Sequence, residues 1–217
     1  MDAFKVVGGG SCFVTAIGCL CALSICGGMI TFIVYLGMYA FANPNAAAWY
    51  GETLSADGVL TPGLYADSTT ATDPLVNLVD IHGQFVTWFL WGFIQALIPI
   101  ATAILGITCS LISQSLGSAV TGFGGCGIGC GGLAWWITGM VWRFSNAGRY
   151  ASGDIVPEGM DAEKTAAWEA GLTADGSLFQ YSSGNFMYIY YMITWIVLGV
   201  GCGCALLTSI LTCICKR

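Results

Sequence analysis

Three long stretches of this chain carry no charged residue: 6–51, 83–142 and 176–215. A helix needs about 20 apolar residues to cross a bilayer, and a charge at membrane depth is costly. Uncharged runs of this length predict a polytopic membrane protein. The first holds one span, 12–42. The second holds two, 85–110 and 119–142, joined by the short uncharged turn 113–118. The third holds one, 186–213. The expected fold is therefore an all-α membrane protein. It is a single domain over 1–217, a four-transmembrane-helix bundle with two extracytoplasmic loops, 43–82 and 143–185.

Composition narrows the classes further. Charged residues make up 8% of the chain, against about 25% in ordinary soluble domains. Mean hydropathy is +0.77. These values exclude a soluble globular or disordered chain. Six Lys and Arg against twelve Asp and Glu give a net charge of −6, which leaves no basic footprint for nucleic acid. The apolar run before Ala40-Phe41-Ala42 is too long for a signal-peptide core of about 7–15 residues, so it is read as an uncleaved span.

An even number of spans separates the two loops, so both lie on one face. That face holds eleven acids and three bases, and the terminal face holds Asp2, Lys5, Lys216 and Arg217. Lys and Arg divide evenly, so positive charge does not choose the cytosolic side. Cysteines do. All eleven fall toward the terminal face and neither loop contains one. Thiols persist in the reducing cytosol, whereas outer loops use disulfides. The termini are read as cytoplasmic, both loops as outside, and the location as the plasma membrane.

Helices in lipid associate through small residues that let backbones approach. In the third span Ser118, Gly122, Gly125, Gly129, Gly132 and Gly139 line one helical face, interrupted by Trp136. A second line, Gly124, Gly127 and Gly131, is rotated from it. Gly199 and Gly203 form a GxxxG pair in the fourth span, and Cys12, Cys19 and Cys26 form a small-residue seam in the first. The first glycine line is expected to pack inside the bundle and the others to serve further contacts. Cys213 and Cys215, beside Lys216-Arg217, have the juxtamembrane setting of S-palmitoylation sites. Bound membrane lipids are the only expected small-molecule partners.

Reactive chemistry finds little support. No span contains Asp, Glu, Lys, Arg or His, which pumps and proton-coupled carriers use. Gln95 is the most polar span residue and reads as an interhelical hydrogen bond. Pro99 is expected to kink its helix. His82, the only histidine, reads as an interfacial residue bonded to a nearby acid. The Cys-x-Cys and Cys-x-x-x-Cys spacings lie in apolar helices and do not form a zinc site. The loop acids are too dispersed for a calcium loop. No catalytic, cofactor or metal residue is assigned, and the chain is read as not an enzyme.

The loops contain an echo. Leu54-Ser55-Ala56-Asp57-Gly58-Val59-Leu60 matches Leu172-Thr173-Ala174-Asp175-Gly176-Ser177-Leu178. An Asp-Gly pair between apolar residues is a hairpin signal, so each loop is expected to carry one short β-hairpin. A short helix is expected over 161–170. Trp49, Tyr50, Tyr65, Trp168, Phe179 and Tyr181 are expected to pack the two loops into one cap.

Four spans, short cytosolic termini, two outer loops and juxtamembrane cysteines resemble the tetraspan membrane proteins: tetraspanins, claudins and MARVEL proteins. The resemblance is one of topology, since the second loop has no Cys-Cys-Gly and the first no cysteine pair. It implies lateral association and membrane organisation. The function expected is a non-enzymatic integral membrane scaffold or accessory subunit, acting by lateral oligomerisation or association with a larger membrane complex. The alternative is an oligomeric channel-forming subunit with a pore between protomers, lined by Thr102, Thr108, Ser110 and Thr138.

Overall fold

The computed structural model describes residues 27–43, 45–55, 57–67, 75–156, 161–174 and 176–215. Helix α1 covers Gly27–Phe41. Strands β1 (Trp49–Leu54), β2 (Leu60–Tyr65) and β3 (Leu75–Asp80) follow, then helices α2 (Ile81–Ser110), α3 (Gln114–Phe144), α4 (Asn146–Ala151), α5 (Ala162–Leu172) and α6 (Tyr181–Cys215). Cys12, Cys19, Cys21 and Cys26 lie outside the described residues.

Among the described residues, two helices are long and apolar enough to cross a membrane: α2, with mean hydropathy 1.9, and Tyr181–Ser209 of α6, with 1.8. The four-span reading is thus met by two helices only. The described part of α1 is short, and α3 is 31 residues long but so rich in glycine that its mean hydropathy falls below theirs. The turn before α3 is also shorter than expected. Leu111, Ile112 and Ser113 make it, closed by Ile112 and Ser113 N–H bonds to the Cys109 carbonyl.

The first loop folds as a three-stranded antiparallel sheet in the order β2-β1-β3, so the chain is not all-α. The expected hairpin is β1–β2. Leu54 pairs with Leu60, and Gly58 takes φ 77° in the turn, a conformation that costs glycine little. The register of β1 with β3 shifts between Tyr50 and Glu52. Opposite that shift Asn77 adopts φ 55°, as the extra residue of a bulge does. The second loop departs from its expected hairpin. It holds α4 and α5 and, among the described residues, no strand. Ala162–Leu172 is dominated by helix formers, and Asp161 caps it by accepting from Lys164 N at 2.9 Å. Gly176 keeps the turn conformation at φ 75°, but the residues after it enter α6. Asp175 lies outside the described residues.

α2 and α3 form a long antiparallel pair whose contact alternates in size. A Cβ on Gly117 would meet Ser110, one on Gly124 would meet Thr102, one on Gly131 would meet Gln95 and one on Gly139 would meet Trp88 and Tyr191. The relation reverses where α2 supplies the glycine. A Cβ on Gly92 would lie 2.6 Å from the Trp135 ring, and one on Gly106 2.9 Å from Thr121 Oγ1. Each larger side chain therefore faces a glycine across the interface. Gly124 and Gly131 come from the line assigned to further contacts. Cβ atoms on Gly122, Gly125, Gly127, Gly129 and Gly132 would meet nothing described within 4 Å. Gly139 of the expected inner line does pack inside, but before it the packed face is rotated by about one residue, roughly 100°, from the one expected.

Toward the loops, aromatic rings replace this zipper. Trp88 and Trp135 stack with centroids 4.7 Å apart, and Tyr39 and Phe89 with centroids 4.8 Å apart. With Leu36, Ile81, Phe85, Met187 and Tyr191 they make the buried core. The interface predicts a sharp contrast between neighbouring glycines. Gly124→Leu is expected to lower stability by about 1–3 kcal/mol through overpacking, and Gly125→Leu to leave it nearly unchanged. Thermal unfolding of the purified variants in detergent checks this; equal effects would contradict the zipper.

Candidate functional site

The most organised polar site is a joint between the cap and the helices. Arg143 lies in the last turn of α3 and is the first charge after the long neutral run. Its residue is 1% exposed. Nη1 donates to Asp154 Oδ2 at 2.6 Å and Nη2 to Asp154 Oδ1 at 3.1 Å. Nε donates to the Gly184 carbonyl at 2.7 Å. The guanidinium also lies over the rings of Phe144 and Tyr188, 5.5 and 5.6 Å from their centroids. One side chain thus ties the end of α3, the turn after α4 and the start of α6. The close approach depends on Gly184, because a Cβ there would run into Ser152.

Gln180 makes a second tie. Its backbone N–H donates to the Ala151 carbonyl at 2.7 Å, and its Nε2 to the Ala46 carbonyl at 2.7 Å. Its Oε1 lies 3.3 Å from His82 Nδ1. His82 therefore meets an amide and not the expected acid. Asp80 is committed to capping α2, where it accepts from Gly83 N at 2.7 Å. Asn45 Nδ2 donates to Ser183 Oγ at 2.7 Å. Ring contacts complete the joint: Tyr50 with Tyr150, Tyr150 with Phe179, and Trp168 with Phe179. Tyr50, Trp168 and Phe179 of the expected cap aromatics thus connect the loops through Tyr150, while Tyr181 stays 37% exposed.

Within the sheet, Glu52 accepts from Tyr50 OH at 2.7 Å and from Asn77 Nδ2 at 2.7 Å. These bonds, Tyr50's first, hold its carboxyl below the ordinary 4.5, and burial with the Glu52 contact raises the Tyr50 phenol. Because the folded value is depressed, this contribution to stability is complete above pH 4.5 and is lost as pH falls through the folded value.

The remaining sequence-assigned residues are not brought together. Gly199 and Gly203 would meet nothing described within 4 Å. Cys213 and Cys215 fall in the last turn of α6, and their side chains lie outside the described residues. Cys109, Cys126, Cys130, Cys202 and Cys204 are free thiols. The hydroxyls of Thr102, Thr108 and Ser110 donate to carbonyls of their own helix. Gln95 forms no interhelical bond among the described residues, where its Oε1 is buried without a hydrogen-bond partner. No cluster of three metal-ligating side chains occurs among the described residues. Comparison of the chain with protein-family models, curated proteins and solved structures finds no match.

The joint yields two expected outcomes. Asp154→Asn leaves the Arg143 guanidinium buried without a counter-charge and lowers stability by about 3 kcal/mol. That is the low end for a broken buried pair, because a third of the Asp154 side chain is exposed. Arg143→Met with Asp154→Leu, which removes both charges, costs less; a double-mutant unfolding series measures the difference. Acidification below pH 4.5 loosens the sheet, read as Trp49 fluorescence, and Glu52→Gln flattens that pH dependence.

Proposed function

We propose that the chain is a four-span, non-enzymatic membrane scaffold or accessory subunit that works by lateral association. In this reading α1 and α3 cross the bilayer with α2 and α6. The neutral run containing α1 begins at residue 6. At 31 residues α3 is about 46 Å long at 1.5 Å per residue, beyond the ~30 Å apolar thickness of a bilayer. The termini lie in the cytosol of the plasma membrane, the sheet and α4–α5 form an outer cap, and Cys213 and Cys215 carry acyl chains. This is the arrangement of tetraspan proteins.

The observation that carries the reading is the division of the glycines of α3. Gly117, Gly124, Gly131 and Gly139 are consumed against α2, while Gly122, Gly125 and Gly129 face nothing described within 4 Å. Glycine costs a helix about 1 kcal/mol each relative to alanine. The α2–α3 zipper accounts for the first set. The second set has no use in the described fold and lets another backbone approach closely. Gly199 and Gly203 on α6 add a second flat face.

Subunit counting by single-molecule photobleaching in lipid nanodiscs tests the reading. The wild type is expected to form dimers or larger assemblies. Gly125→Leu with Gly129→Leu is expected to weaken association at least tenfold without changing thermal stability. A wild type that stays monomeric in bilayers, and also migrates alone when extracted from native membranes, overturns the proposal.

A further inference from the structure

The loops are strongly acidic, with eleven Asp and Glu against three Lys and Arg. Two of those three cations, Arg143 and Arg149, nevertheless line one hollow of about 500 Å³ where the loop ends of α3 and α6 meet α4. Asp154 is the one acid among its described lining residues. Arg143 donates to both oxygens of that carboxylate, so the two charges cancel. Arg149 is left as a surplus positive charge. It is exposed, and its side chain has no hydrogen bond or ion pair among the described residues.

Three more donors share the wall: Tyr181, Asn185 and Tyr188. They stand four and three residues apart on α6 and so form a row along one helical face. All three are exposed, and their side chains make no hydrogen bond among the described residues. The hollow thus presents a guanidinium, two phenols and an amide, all accessible. Its other side is aromatic. Phe144 and Tyr188, each 40% exposed, meet edge to face with centroids 6.3 Å apart. The buried Arg143 guanidinium lies against both rings. Arg143 therefore fixes the rings and Asp154 in place, and Arg149 stays open to a ligand.

Position and chemistry select the ligand together. The hollow lies at the start of α6, whose stretch Tyr181–Ser209 is long and apolar enough to cross a membrane. It also lies at Arg143, the first charge after the neutral run 83–142. That is the level of the lipid headgroups. A guanidinium fork matches two oxygens of a phosphate. A carboxylate spends both of its oxygens on the fork, whereas a phosphate keeps others for the phenols and the amide. We propose that the hollow seats the phosphate of an anionic membrane lipid. Arg149 forks onto the phosphate, Tyr181, Asn185 and Tyr188 donate beside it, and the Phe144 and Tyr188 rings take the glycerol and the first carbons of the chains. Free phosphate offers the same oxygens but nothing to lay on the rings. The inference rests on α6 crossing the membrane and not on lateral association.

Native mass spectrometry of the full chain in mild detergent, titrated with lipids of matched acyl chains, tests the assignment. Phosphatidylglycerol is expected to bind roughly tenfold more tightly than phosphatidylcholine, whose headgroup cation offsets its phosphate, and than diacylglycerol, which has no phosphate. Arg149→Gln is expected to lower phosphatidylglycerol binding roughly 10-fold, the scale of a lost charge-assisted hydrogen bond. Tyr188→Phe keeps the ring against Arg143 and is expected to lower it roughly 3-fold. Lys164→Gln removes the same charge from α5 and is expected to change nothing. Arg149 has no partner in the described fold, so thermal stability should not move with it; if it does, Tyr188→Phe decides. Equal binding of the three lipids, full binding by Arg149→Gln, or an equal loss with Lys164→Gln overturns the proposal. Displacement of bound phosphatidylglycerol by millimolar inorganic phosphate assigns the hollow to a soluble phosphate and overturns the lipid source. Bound lipid is counted per chain in every oligomeric state, so failure here is distinct from a failure of lateral association.

Discussion

The antiparallel contact of α2 with α3 is the constraint on which the rest of the structure depends. Close approach of the two backbones holds this pair. Here closeness comes from alternation. Ser110, Thr102, Gln95 and Trp88 of α2 each face a glycine of α3, while Thr121 and Trp135 of α3 each face a glycine of α2. This alternation sets the rotation of α3 about its axis. It also aims Trp135 into the stacked core with Trp88 and directs its Nε1 to the Trp88 carbonyl at 2.8 Å.

The fixed end of α3 then positions Arg143. A guanidinium there has its donors directed at Asp154 and Gly184 only if α4 and α6 close around it, so the hydrogen bonds and the two-ring stack specify the joint as much as they stabilise it. Gln180 adds the first loop, through Ala46 and His82, to the same joint. The sheet is thereby seated twice: covalently, by β3 running directly into α2 at Asp80, and laterally, through Gln180 and the Tyr50–Tyr150–Phe179 rings. The cap is built from both loops and neither is independent of the helices below it.

Much of this was legible in the residues. The neutral runs located α2, α3 and α6 to within a few residues, and Asp57-Gly58 located the β1–β2 turn. The helix over 161–170 followed from its helix formers. Other features lay beyond sequence reasoning for physical reasons. Glycines recur so densely in α3 that lines can be drawn along several faces, and only the side chains of the partner helix select one. β3 has no partner adjacent in sequence, and its register depends on a bulge at Asn77. The matching Asp-Gly segments diverge because one continues into a strand and the other into α6. Arg143 was visible as the charge closing a neutral run, but its burial follows from Asp154 and Gly184, which only the folded chain brings to it.

The two glycine sets of α3 have opposite consequences for what the bundle can do. Those against α2 leave no free volume, because the facing side chain fills the space that each missing Cβ provides. Gly132 lies one residue past the packed Gly131 and instead borders, with Gln95, a hollow among α1, α2, α3 and α6. The same Gln95 rests its amide against Gly131. Polar and small residues are therefore concentrated at the level where α2 passes from zipper to aromatic core. At that level the α2–α3 packing stays tight while the space toward α1 and α6 is left open. The pair therefore sets the fold without filling the space beside it.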